Sequence, residues 1–139
     1  MPQLMPTKRD YQRQHLIPWS LRNHPMFAQS GRSIHGATNM MYMPVTTGMD
    51  PNPKLGLHRG WTTEHKLYNE MVEQRLERLA TIVKNKKWSK KKILEEILKM
   101  QNELRETFRT GKYICAAPIS KSNSKKGKND DHLSNILCC

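Results

Sequence analysis

TTEHKLYNEMVEQRLERLATIVKNKKWSKKKILEEILKMQNELRETFRT, residues 62–110, is the one long stretch of the chain without proline or glycine. Within it Tyr68, Val72, Leu76, Leu79 and Val83 recur at steps of three and four, with Leu67, Met71 and Ile82 widening the stripe. That spacing places them on one face of a helix. Thr62 or Thr63 can cap its start, and Glu64 falls in the first turn, where the dipole favours negative charge. A second period follows through Ile93 or Leu94, Ile97, Gln101, Leu104 and Phe108, and Gly111 supplies a stop. Glu70, Glu73, Glu77, Glu95, Glu96, Glu103 and Glu106 alternate with basic residues on the remaining faces, as solvated helix surfaces do.

The two stripes meet at Lys84-Asn85-Lys86-Lys87-Trp88-Ser89-Lys90-Lys91-Lys92. Ser89 can cap a second helix, giving an antiparallel hairpin of helices at about 63–85 and 89–109, in which each stripe covers the other. One continuous helix, about 70 Å long at about 1.5 Å per residue, avoids setting three lysines against a helix N-terminus. The hairpin is preferred and both stay open. Either way, the stripes bury too little apolar surface to offset the entropy of ordering the segment, so packing against a partner is expected to complete it.

Upstream the character changes. Seven of the eight prolines and five of the seven glycines precede residue 62. Pro18, Pro25, Pro44, Pro51 and Pro53 interrupt any helical or alternating period, so residues 1–61 read as an extended arm. Large side chains are spaced along it, among them Tyr11, Leu16, Ile17, Trp19, Phe27, Tyr42 and Trp61, interleaved with Arg9, Arg13, Arg22, Arg32 and Arg59. Such an arm either stays disordered or gains order along a partner's grooves, with Trp19, Phe27, Tyr42 and Trp61 as anchors. Downstream, residues 111–139 open on the apolar patch Tyr113 to Ile119 and pass into a Ser- and Lys-rich tail expected to be disordered. The expected fold class is mainly α with extensive disorder.

Leu, Ile, Val and Phe make up just under a fifth of the 139 residues, and the net charge is +12. That balance suits an acidic partner: a nucleic acid, an anionic membrane face or an acidic protein lattice. Cys115, Cys138 and Cys139 form no disulfide framework, no apolar run is long enough for a membrane span, and the N-terminus is a poor targeting signal. The chain therefore reads as cytoplasmic. His15, His24, His35, His58, His65 and His132 are scattered without metal-ligand spacing or a phosphate loop, so no catalytic residue, metal, cofactor or small-molecule substrate is expected. Lys86, Lys87, Trp88, Lys90 and Lys91 suit contact with phosphates and bases or with an acidic protein.

The arm punctuated by Pro, Trp, Tyr and Met, the charged helix pair and the basic balance together resemble the small microtubule inner proteins of ciliary and flagellar doublets. That resemblance implies a non-catalytic structural protein of the axonemal cytoskeleton, with tubulin or other axonemal proteins as partners and the lysines facing acidic tubulin. A basic RNA- or ribosome-associated protein is the first alternative. The second is a peripheral membrane protein lipidated at Cys138 and Cys139, which resemble the double-cysteine ending of prenylated Rab GTPases.

Overall fold

A computed structural model of the chain describes residues 5–46, 48–55 and 63–111. In order along the chain come β1 (Tyr11–His15), a 3-10 turn (Trp19–Leu21), α1 (Pro25–Ser30), a second 3-10 turn (Ala37–Asn39), β2 (Met40–Pro44), α2 (Thr63–Lys86) and α3 (Lys90–Arg109). β1 and β2 pair antiparallel with Tyr11 opposite Pro44 and His15 opposite Met40.

Between α2 and α3 the chain turns at Lys87, whose φ is +54°. Trp88 N–H closes the turn onto the Val83 carbonyl at 3.1 Å, and Ser89 Oγ accepts from Lys92 N–H at 3.2 Å to start α3. At the other end of α3, Gly111 has φ +81°, and a Cβ there would stand 2.8 Å from the Lys54 carbonyl oxygen. Only glycine accepts both the left-handed backbone and that approach.

The N-terminal half is folded, which corrects the expectation of a disordered arm beside a lone helical segment. Leu16, Ile17, Met26, Phe27, Ile34, Met41 and Met43 join Tyr68, Val72, Leu76, Leu79, Ile93, Ile97, Met100, Leu104 and Phe108 in one core. The helix stripes thus find within the chain the apolar cover expected from a partner, with α1 packed against both α2 and α3.

Prolines that read as breakers sit where they do no damage. Pro25 occupies the first turn of α1, where its missing N–H would have no helical partner, while the His24 ring accepts from Met26 N–H and Gly31, φ +73°, ends the helix. Pro44 closes β2, a strand of a two-stranded sheet that can lack a donor. The short strand Tyr11–His15 buries only Gln14, so it carried no apolar alternation to detect. The expected disordered tail, with Cys138 and Cys139, lies outside the described residues, as does Trp61.

Candidate functional site

His15 ends β1, and the backbone immediately after it is anchored on every side. Leu16 N–H donates to the Asn39 carbonyl at 2.8 Å, and the Tyr68 hydroxyl donates to the Leu16 carbonyl at 2.5 Å. The fully buried Asn39 side chain then clamps Ile17, accepting from its N–H at 2.8 Å and donating to its carbonyl at 3.0 Å. The same amide donates to the Ile34 carbonyl and accepts from Gln101 Nε2, both at 3.0 Å. Arg105 of α3 donates to the carbonyls of Ala37, Thr38 and Met40, fixing the turn that carries Asn39. Its half-buried guanidinium has its pKa lowered, chiefly by burial.

This scaffold brings together histidines that are far apart in sequence. His15 Nε2 and His35 Nδ1 share a hydrogen bond of 3.1 Å, with ring centroids 5.2 Å apart and planes inclined by 55°. One ring must donate and the other accept. His15 also lines two clefts: one shared with His35, Arg13, Met5 and Met40, the other with Arg13, Trp19, His65 and Asn69. Burial pushes the His65 imidazole below its ordinary pKa, which favours its neutral form near neutral pH. Asn69 Oδ1 is buried beside it and accepts no hydrogen bond among the described residues.

Arg13 lines both clefts and spends one N–H on the Met5 carbonyl at 2.9 Å, leaving further donors for an anion. Trp19, 50% exposed, stands at the rim with the Arg22 guanidinium carbon 3.2 Å from its ring centroid. His24 is structural. Its Nδ1 accepts from Met26 N–H, so its Nε2 carries the proton and donates to Glu77 at 2.6 Å, tying α1 to α2. Among the described residues no group of three or more His, Cys, Asp or Glu is placed to hold a metal ion. His58 lies outside those residues.

Of the side chains singled out as partner anchors, Trp19 alone is both at the cleft and widely exposed. Phe27 is 2% exposed in the core, which corrects its reading as a groove anchor, because the apolar wall it fills is the chain's own. Tyr42 is half-buried on β2 and its hydroxyl donates to the Pro6 carbonyl. Lys86, Lys87, Lys90 and Lys91 are exposed at the α2–α3 turn, with Trp88 half-buried against the core beneath them. His15, His35, His65 and Asn39 were missed as a group because no spacing links them. The one local signal was His15 itself, followed directly by the buried pair Leu16-Ile17.

Residues 2–104 match the AHH family, a nuclease family of the HNH/ENDO VII superfamily with conserved AHH. No curated protein and no solved structure matches the chain. The family match overturns the expectation of a non-catalytic protein stabilising ciliary or flagellar microtubules: the match is to an enzyme family and spans most of the chain. Spacing along the sequence gave no sign of an enzyme, because the fold gathers histidines from β1, the loop after α1, and α2. The chain contains no Ala-His-His run, and each of its six histidines stands alone. Any histidine chemistry therefore rests on residues gathered by the fold.

Proposed function

The chain belongs to the AHH family of HNH/ENDO VII nucleases, and from that premise we propose that it hydrolyses phosphodiester bonds of nucleic acid in the clefts flanking His15. The observation that carries this reading is the His15–His35 hydrogen bond at a cleft that Arg13 also lines, His15 and Arg13 lining as well the second cleft with His65.

Hydrolysis requires a water oxygen to attack phosphorus while the water loses a proton and the P–O bond to the departing sugar oxygen breaks. A proton taken by the histidine pair leaves an imidazolium joined to an imidazole through the same 3.1 Å bond, which its charge strengthens. A second proton would set two N–H groups against each other, so the pair handles one proton at a time. Arg13 offers its remaining donors to the phosphate oxygens, whose charge grows in the transition state. Trp19 at the rim gives an unpaired base a surface to stack on. The net charge of +12 draws the polyanion in.

The test uses the full chain purified from a nuclease-free background. It is incubated with plasmid DNA, single-stranded DNA and single-stranded RNA, with and without added divalent cations. Cleavage is expected for at least one substrate, and His15→Ala should slow it by about 100- to 10,000-fold, the usual span for losing a general base, while circular dichroism stays unchanged. Absence of cleavage on all three, or a His15→Ala protein as active as the parent, would sink the proposal.

A further inference from the structure

The turn between α2 and α3 carries the densest charge in the chain, with Lys84, Lys86, Lys87, Lys90, Lys91 and Lys92 gathered around Trp88. Lys84, Lys86, Lys87, Lys90 and Lys91 are exposed, and among the described residues none of them is within ion-pair reach of a carboxylate. Lys92 alone pairs, with Glu95 at 3.9 Å and Glu96 at 3.3 Å.

Three features of the turn work against its own stability. Like charges crowd together, which costs energy that the Lys92 pairs offset only in part. The first turn of α3 holds no acidic residue and begins with lysines, opposite to what the helix dipole favours. Lys87 adopts a left-handed backbone, φ +54°, without being glycine. Yet the turn is well built: Trp88 packs against the core, and the ammonium groups of Lys86 and Lys92 lie 5.7 and 5.0 Å from its ring centroid. An exposed group of five lysines with no carboxylate within ion-pair reach among the described residues is suited to an external polyanion.

We infer that this turn is a second contact for the nucleic-acid backbone, separate from the His15 clefts and reached only by long substrates. The inference rests on the nuclease reading for its choice of polyanion. His65, at the cleft, and Lys86 are separated by most of the length of α2, about 30 Å at about 1.5 Å per residue. That distance corresponds to roughly nine base pairs of duplex. Phosphates that far from the bond being cut would meet the lysines as point charges, giving affinity without sequence preference.

The experiment compares the full-length parent with the variant Lys86→Gln/Lys87→Gln/Lys90→Gln/Lys91→Gln, all four sites being exposed. Binding to fluorescent duplexes of about 30 and about 6 base pairs is titrated across salt concentrations, and cleavage is followed in parallel. On the long duplex the variant should lose about 3.6 from the slope of log affinity against log salt, four contacts at about 0.9 each. Its affinity should fall at least tenfold at low salt, while the short duplex is bound equally by both proteins. An unchanged slope on the long duplex, or an equal loss on both lengths, overturns the inference. So does an unchanged slope accompanied by lost binding to polyglutamate, which would assign the turn to an acidic protein. The two readings separate cleanly. Cleavage with unaltered binding removes the second contact alone, and a lost slope in a protein that cuts nothing removes the nuclease reading alone.

Discussion

Asn39 and Gln101 meet in the core, Gln101 Nε2 donating to Asn39 Oδ1 at 3.0 Å, and both side chains are fully buried. Through this bond α3 holds the amide that clamps both backbone groups of Ile17, two residues after His15. Asn39→Ala would leave the Ile17 N–H and carbonyl, the Ile34 carbonyl and the Gln101 amide without that partner. Each such buried group costs about 1–3 kcal/mol when nothing replaces its partner, so with four affected a loss of at least about 4 kcal/mol is expected. Urea denaturation with an unchanged m value reads it directly, and a loss under about 1 kcal/mol would mean the clamp is dispensable.

His65 gives the stability a pH dependence of defined sign. Burial lowers its pKa in the folded state below the ordinary 6.5. Between those two values the unfolded chain binds more protons than the folded one, so stability rises with pH through that window and is fully present above it. Denaturation midpoints measured from pH 5 to pH 8 should climb, and His65→Asn should flatten the climb. A parent and variant with parallel profiles would show that His65 titrates alike in both states.

Two left-handed glycines allow a controlled comparison. Gly31 has open space where a Cβ would go, so Gly31→Ala carries only the backbone penalty, about 1 kcal/mol. At Gly111 the added Cβ would also press on the Lys54 carbonyl at 2.8 Å. Gly111→Ala should therefore cost about 1–3 kcal/mol more than Gly31→Ala. Thermal melts of the two variants rank them, and equal losses would mean the chain near Lys54 gives way freely.

Dependence of the helices on the N-terminal half can be measured by excision. A peptide of residues 63–111 lacks Leu16, Ile17, Met26, Phe27 and Met43, all of them buried in the shared core. It is expected to show weak helicity and no cooperative thermal transition, whereas residues 1–111 melt cooperatively. A cooperative transition in the short peptide would mean that the two helices fold without the N-terminal half.

What the sequence determined by itself is local. The absence of proline and glycine between residues 62 and 110 and the recurrence of Tyr68, Val72, Leu76 and Leu79 are helix signals. They work because neighbours three and four residues apart share a face whatever else the chain does. The capping chemistry of Ser89 and the stop at Gly111 are legible for the same reason. Composition likewise determined the net charge of +12.

Only the tertiary structure decided that the proline-punctuated half is folded, because its elements are too short to carry a period. Their order comes from contacts with helices many residues away: Tyr68 on Leu16, Gln101 on Asn39, Arg105 on the turn before β2. The same contacts bring the His15 and His35 rings to 3.1 Å and turn His15 and His65 toward one cleft. No spacing rule encodes that arrangement, since a site assembled from a strand end, a loop and a helix depends on how those pieces pack rather than on how far apart they lie along the chain.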